Sequence, residues 1–149
     1  MQNDPSRFSQ LFFTVSILAF LLMPLSAYSK APYLAFSDLI SGPDTGMGDG
    51  VGSGTVVTIW GQNLGSAQLD SKIYFTDSSQ TRREAAHVYY WKNADGELPS
   101  GPANLYESHR MQEIALSIPD SAAGLGLIHV EVNGKASNTL PFTVRTGNV

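Results

Sequence analysis

The stretch TVVTIWGQNLGS, residues 55–66, begins like a β-strand and ends in a glycine-bearing turn. Its first half is rich in β-branched and aromatic residues, which favour the pleated surface of a sheet. A dinucleotide-binding loop needs G-x-G-x-x-G opening a helix and a P-loop needs Gly-Lys-Ser/Thr. GQNLG, residues 61–65, fits neither pattern. The stretch therefore predicts a sharp corner in a β-structure, with Gly61 and Gly65 adopting backbone angles that other residues resist.

Strand-like runs recur along the rest of the chain, separated by Gly, Asn, Asp, Ser and Pro. Apolar and polar residues alternate in KIYFT (72–76), QEIALSIP (112–119) and LIHVEVNG (127–134). This alternation is typical of antiparallel strands with one buried and one wet face. No window has a sustained helical period, so we predict an all-β sandwich of about seven antiparallel strands. The predicted strands are 33–39, 55–62, 72–76, 84–91, 112–118, 126–133 and 138–144.

Two segments interrupt the rhythm of strands and turns. Ser41 to Gly54 is rich in glycine and predicts a flexible or irregular loop. Lys92 to Met111 is a second, longer loop, and long loops tend to be functional or disordered.

Composition and charge exclude several classes of protein. A length of 149 residues suits one domain, and the net charge of -4 gives no electrostatic reason to bind nucleic acid. The absence of cysteine excludes disulfides and thiolate metal sites.

The first 29 residues have the layout of a secretory signal peptide. Arg7 precedes an apolar run over residues 11–25, and Ala27 and Ser29 fit the small-residue rule for cleavage before Lys30. Leu25 and Ala27 would instead give cleavage before Tyr28. An uncleaved anchor is the alternative, but a membrane span needs about 20 apolar residues. We therefore predict a signal peptide over 1–29, a sandwich over 30–149, and a secreted, extracellular or periplasmic location.

VTIWGQNLG, residues 57–65, resembles the signature of IPT/TIG domains, which are immunoglobulin-like β-sandwiches of the E-set kind. The other pieces of that pattern follow in order over nearly all of the chain after residue 29. They are Ile73–Phe75, Val88–Trp91, Ile114–Pro119, Gly124–Val132, Gly134, Ser137 and Phe142. The chain departs from the family in the expanded loop before Thr55 and in the long connection after Trp91. The resemblance implies a fold, and it implies that whatever is specific to this protein lies in those two loops.

Aromatic residues are the most informative candidates for binding. Alternation directs Trp60 and Tyr74 away from the core, and exposed aromatic rings can stack on sugars. The resemblance implies a structural role for Trp91, at the edge of the sandwich. The predicted ligand-binding set is Trp60, Tyr74, Trp91, Asn104, Tyr106 and Glu107. Under the alternative interpretation, the long loop folds over the sheet and buries Trp60 and Tyr74 as a small cluster.

Metal binding and catalysis have weaker signals. Asp44 and Asp49 lie among glycines, but their spacing is not that of an EF-hand, so a plain loop is favoured and no metal site is predicted. No G-x-S-x-G motif accompanies the histidines at positions 87, 109 and 129, of which 87 and 129 fall on solvent-facing strand positions. Glu97 and Glu107 could be proposed as a glycosidase pair of carboxylates, but nothing in the sequence determines the distance between them. We expect no enzymatic activity and no cofactor.

The predicted function is a non-catalytic secreted module that binds carbohydrate or supports a neighbouring polysaccharide-active domain. The alternatives are a module for protein–protein adhesion and a structural spacer. Neither nucleic acid nor, after signal cleavage, a membrane is an expected partner.

Overall fold

The computed structural model of the protein describes residues 30–46, 54–95 and 105–148. The predicted signal peptide, and residues 47–53 of the glycine-rich loop, therefore lie outside the described residues. The strands are β1 (Tyr33–Ser37), β2 (Ser41–Thr45), β3 (Val56–Gln62), β4 (Lys72–Thr76), β5 (Arg82–Glu84), β6 (His87–Asn93), β7 (Met111–Ser117), β8 (Gly124–Val132), β9 (Lys135–Ala136) and β10 (Leu140–Asn148). One short helix, α1 (Leu105–His109), precedes β7. None of the helical structure in the described ranges is long and apolar enough to cross a membrane.

The strands form two sheets. Sheet 1 has the order β1-β3-β7-β6, and all its neighbours are antiparallel. Sheet 2 has the order β2-β10-β8-β4-β5, with β9 also paired to β8. The pair of β2 and β10 is parallel, and the other pairs of sheet 2 are antiparallel. The prediction of an all-β, two-sheet protein is confirmed.

One predicted strand, residues 84–91, is divided between the two sheets. The N–H of Ala85 donates to the carbonyl of Ile73 in sheet 2, whereas the N–H of Ala86 donates to the carbonyl of Ser117 in sheet 1. Consecutive residues thus bond to opposite sheets, and the chain crosses the sandwich at this point. Side-chain alternation carries no signal for such a change of sheet.

The segment Ser41–Thr45 is a strand, although its sequence SGPDT predicts an irregular loop. Glycine and proline are poor strand formers, but proline is tolerated on an edge strand, where it removes no essential ladder bond. Here β2 lies at the edge of sheet 2, and the carbonyl of Pro43 accepts hydrogen bonds from the N–H and Oγ1 of Thr55, at 2.8 and 2.7 Å. Pairing in the folded state therefore outweighs local propensity.

The core lies between the two sheets and is built from their inward-facing apolar side chains. The alternation of buried and exposed faces predicted for β4 and β8 is confirmed, whereas β7, which lies between β3 and β6, is buried on both faces. Phe75 packs edge-on against Phe142 with their centroids 6.2 Å apart. The described apolar residues that are at most 1% exposed are Leu34, Val57, Ile59, Leu64, Ile73, Phe75, Ile114, Leu116, Ile118, Ile128, Val130 and Phe142.

The GQNLG segment forms the predicted corner at the end of β3. Asn63 and Gly65 have φ angles of 59° and 86°, in the left-handed region that favours Gly and tolerates Asn. Gly61 is required for a different reason, since a Cβ atom there would lie 2.2 Å from the carbonyl oxygen of Tyr33. Leu64 closes this end of the core, and its N–H donates to Oε1 of Gln112 at 3.0 Å.

In the turn between β4 and β5, the carboxylate of Asp77 is buried and accepts several hydrogen bonds. Its Oδ1 accepts from the Oγ and N–H of Ser79 and from the N–H of Thr81, at 2.7, 3.0 and 2.9 Å. Its Oδ2 accepts from the N–H of Ala122 at 3.2 Å, which joins the β4–β5 turn to the β7–β8 connection. These hydrogen bonds, that of Ser79 Oγ foremost, lower the pKa of Asp77 from 3.8 to about 2.

Substituting Gly61 by alanine should destabilise the protein, because the added methyl group collides with backbone that cannot rotate away. We expect Gly61→Ala to lower the free energy of unfolding by about 2–3 kcal/mol in urea denaturation. Gly134→Asn is the control, because nothing lies within 4 Å of a Cβ there and Asn tolerates its φ of 73°. Equal losses in the two variants would contradict the close approach of β1 and β3.

Asp77 should make stability depend on pH in acid. Its pKa is lower in the folded than in the unfolded protein, so its contribution is present above about pH 4 and is lost as the pH falls through about 2. Asp77→Asn should therefore be less stable than the wild type at pH 6, and the difference should shrink towards pH 2. Urea unfolding at a series of pH values measures this, with exposed Asp70→Asn as the control. A difference that is independent of pH would contradict the assignment.

Candidate functional site

The structure does not bring the six predicted binding residues together. Trp60 lies on the outer face of sheet 1 and Tyr74 on the outer face of sheet 2, with the whole core between them. For the same reason, one loop cannot bury these two rings as a single cluster. Asn104 and the side chain of Tyr106 lie outside the described residues, and Glu107 is an exposed residue of α1.

Trp91 packs at the GQNLG corner and does not present an open aromatic surface to a ligand. It is 8% exposed, and its indole N–H donates to the carbonyl of Gly65 at 3.1 Å. The ring therefore covers the turn that ends the GQNLG segment.

The outer face of sheet 1 carries a registered row of side chains from all four strands. Phe36 lies opposite Trp60, Trp60 opposite Glu113, and Glu113 opposite Lys92. The rings of Phe36 and Trp60 are stacked, with centroids 5.1 Å apart and planes inclined by 18°. Phe36 remains 40% exposed. We call these four residues the aromatic row.

Sequence alternation missed Phe36 because a β-bulge reverses the side chains of β1. Leu34 pairs with Gly61 and Phe36 with Trp60, so Ala35 is an extra residue on this strand. Leu34 therefore enters the core, whereas Phe36, two residues later, faces outward. Strict alternation would have placed both on the same face.

Glu113 gives the aromatic row a buried carboxylate. It is 7% exposed, and its Oε2 accepts a hydrogen bond from the indole N–H of Trp60 at 3.1 Å. The ammonium group of Lys92 lies 3.7 Å from its Oε1, 4.9 Å from the ring centroid of Tyr90, and 2.8 Å from Oδ2 of Asp95. The hydrogen bond to Asp95, with the nearby Glu113, raises the pKa of Lys92, which stays charged. The signal for Glu113 in the sequence is a lone acid on a strand whose other residues are uncharged.

The ring of Tyr74 is covered by neighbouring side chains on sheet 2. The guanidinium of Arg82 lies 3.5 Å from the ring centroid, and His129 stacks on the ring at 5.4 Å. Arg82 also pairs with Glu131. His129 is only 15% exposed, less than its predicted solvent-facing position implies, and burial, with the charge of Arg82, lowers its pKa. This half of sheet 2 is a closed network of charges rather than an open aromatic surface.

The other half of sheet 2 exposes apolar side chains. Leu125 and Leu127 on β8 are 60% and 40% exposed, and Leu127 lies opposite the exposed Pro141. Ile40, 71% exposed, precedes β2, and its carbonyl accepts the N–H of Thr143 in the adjacent strand. We call Ile40, Leu125, Leu127 and Pro141 the apolar patch.

The weaker candidates for metal binding or catalysis, where the structure describes them, contact other residues of the fold. Asp44 is 9% exposed, and its Oδ2 accepts the N–H of Ser121 at 2.7 Å. His87 packs edge-on against Tyr89 at 4.5 Å. Asp49 and Glu97 lie outside the described residues, so the structure does not place Asp49 relative to Asp44 or Glu97 relative to Glu107. Within the described ranges, no three His, Cys, Asp or Glu side chains cluster as metal ligands.

The two tryptophans should differ in what they contribute to stability. Trp91→Ala removes a buried ring and should lower the free energy of unfolding by about 3–5 kcal/mol. Trp60→Ala removes one stack and one hydrogen bond on the outer face, with an expected loss of about 2 kcal/mol or less. Urea unfolding followed by circular dichroism measures both, and equal losses would contradict the different placement of the rings.

Comparison with protein-family models and with curated proteins gave no match. Among solved structures, the fold is similar to part of a structural genomics protein of unknown function from Bacteroides thetaiotaomicron VPI-5482. The match covers 79% of this chain with 18% sequence identity and a TM-score of 0.53. The chain spans only 22% of the length of that protein. At this level of identity, the likeness concerns the fold alone.

Proposed function

We propose that this chain is a non-catalytic, secreted, immunoglobulin-like module of the IPT/TIG kind that binds carbohydrate on the outer face of sheet 1. The observation that carries the proposal is the aromatic row, in which the exposed ring of Phe36 stacks on the half-buried indole of Trp60, beside a carboxylate and an ammonium group.

The strand order supports the immunoglobulin-like assignment. Immunoglobulin-like sandwiches have strands ABED in one sheet and CFG in the other. Taking β1, β3, β4, β6, β7, β8 and β10 as A to G reproduces both orders. In this scheme β2 is the part of strand A that crosses to pair in parallel with strand G. The hydrogen bond between Trp91 and Gly65 joins two separate pieces of the sequence pattern on which the IPT/TIG resemblance rests.

The chemistry of the aromatic row suits a sugar. A pyranose ring presents apolar C–H groups on its faces and hydroxyl groups around its rim, and exposed aromatic rings supply flat apolar area with a polar tip. Phe36 and Trp60 provide that area, and the partly exposed ammonium group of Lys92 lies beside it as a hydrogen-bond donor. Because Glu113 already bonds to Trp60, it also fixes the orientation of the indole.

A modular role agrees with the structural comparison. The similar fold occupies about a fifth of a much longer chain in the Bacteroides protein. Secretion rests on the predicted signal peptide, and the absence of catalysis on the lack of a catalytic motif in the sequence.

Binding to polysaccharides immobilised on an array tests the proposal. We expect the purified protein to bind at least one glycan, and Trp60→Ala or Phe36→Ala to weaken that binding about tenfold or more. Loss of about 1.4 kcal/mol of stacking energy has that effect. Tyr74→Ala, which removes an aromatic ring from the opposite sheet, is the matched control and should leave binding unchanged.

Two results would overturn the proposal. Loss of binding in Tyr74→Ala but not in Trp60→Ala would move the site to sheet 2. Failure to bind any glycan would favour the second candidate function, docking of a neighbouring domain or protein on the apolar patch. The exposure of Ile40 and Leu125 favours this second candidate, because a structural spacer would not need exposed apolar side chains.

A further inference from the structure

A polar cavity lies beside the end of β3, next to the outer face of sheet 1. Its volume is about 460 Å³. Three short segments that are distant in the sequence line it: Lys30, Gln62 with Asn63, and Ser108 to Arg110. We call it the basic pocket.

Side-chain hydrogen bonds to main-chain carbonyls hold the three segments together. The Nε2 of Gln62 donates to the carbonyl of His109 at 2.7 Å, which fastens the end of β3 to the junction of α1 and β7. The Nδ2 of Asn63 donates to the carbonyl of Ala31 at 3.1 Å, which fastens the segment before β1. The φ of Arg110, 55°, turns the chain sharply from α1 into β7. The pocket is therefore built by the fold and is not an accident of one loop.

The ionisable side chains that line the pocket are all basic. Lys30 and Arg110 are cationic, His109 adds a third basic group, and no carboxylate lines the cavity. This is notable in a chain with a net charge of -4. Signal cleavage before Lys30, as the sequence predicts, would add an α-ammonium group at the same place. Such a concentration of positive charge and polar donors attracts anions.

We propose that the basic pocket binds the anionic group, a carboxylate or a sulfate ester, of an acidic polysaccharide whose neighbouring sugar lies on the aromatic row. This inference rests on the proposed function and names the class of its ligand. Arginine and lysine supply the donors that such oxygens need, and arginine can bind them bidentately.

The basic pocket and the aromatic row are continuous along the sheet. Gln62 follows Trp60 by two residues on β3, so both project from the same face about 7 Å apart. Tyr33, 52% exposed, lies opposite Gln62 on β1 and extends the aromatic surface towards the pocket. One chain of sugars can therefore contact the aromatic row and the basic pocket at the same time.

Calorimetric titration with two matched ligands tests this inference. The probes are oligogalacturonate, which carries carboxylates, and its fully methyl-esterified form, which has the same sugar backbone without charge. We expect the acid form to bind at least tenfold more tightly and Arg110→Gln to reduce that preference about fivefold or more. Arg145→Gln, an exposed arginine on β10 in sheet 2, is the matched control and should have no effect. Raising the salt concentration to about 0.5 M should weaken binding of the acid form only.

Nuclear magnetic resonance titration with sodium sulfate and with sodium galacturonate tests the basic pocket without a polysaccharide. We expect one or both salts to shift the amide signals of residues 108–110, compared with sodium chloride of equal ionic strength. The salt that shifts them more identifies sulfate or carboxylate as the preferred group.

The outcomes separate this inference from the proposed function. Equal affinity for the two oligosaccharides, or an acid preference that survives Arg110→Gln, overturns the basic pocket while leaving the carbohydrate module intact. If neither oligosaccharide binds but the amide signals shift, the basic pocket stands and the aromatic row loses its role. If the signals do not shift, the basic pocket is not an anion site.

Discussion

Burial of the two inner sheet faces against each other is the constraint on which the rest of this structure depends. It fixes which side chains enter the core, and because strands alternate, it also fixes which side chains project outward. The aromatic row and the charged network around Tyr74 are both consequences of that division. The corner at GQNLG completes the arrangement, since Leu64 seals the core and Trp91 covers the turn.

Carboxylates in this chain serve mainly to hold connections in place. Asp38 accepts the N–H of Thr58 at 2.8 Å, and Asp44 accepts that of Ser121. Asp77 accepts the N–H of Ser79 in its own turn and that of Ala122 in the β7–β8 connection. Each of these bonds satisfies backbone that leaves the sheet ladder, which would otherwise be costly to bury. In the part of the chain that the structure describes, no buried side-chain nitrogen or oxygen lacks a hydrogen-bond partner.

The two outer faces of the sandwich differ in chemistry. On sheet 2, Arg82 and His129 cover Tyr74, and Glu131 neutralises Arg82, so that the charges are paired within the face. On sheet 1, Phe36 stacks on Trp60 and remains 40% exposed, and the surface continues towards the basic pocket. This difference is why we assign the ligand to sheet 1 and leave the apolar patch of sheet 2 as the alternative surface for a neighbouring domain.

The sequence alone determined the all-β class, the inward faces of β4, β7 and β8, and the corner after β3. These features depend on local alternation and on glycine, and both can be interpreted without knowing the fold. The outward placement of Trp60 was likewise predictable. Its partners were not, because the bulge at Ala35 turns Phe36 outward and strand pairing alone brings Glu113 beside the indole.

Tertiary structure also decided where the candidate residues lie relative to one another. The sequence grouped Trp60, Tyr74 and Trp91, whereas the sandwich separates them onto one outer face, the other outer face and the core. The basic pocket was not predicted, because its segments are far apart in the sequence and meet only through the hydrogen bonds of Gln62 and Asn63. Alternation specifies which side of a strand a residue occupies. Which sheet that strand joins, and what it faces there, depends on pairing between residues that are distant along the chain.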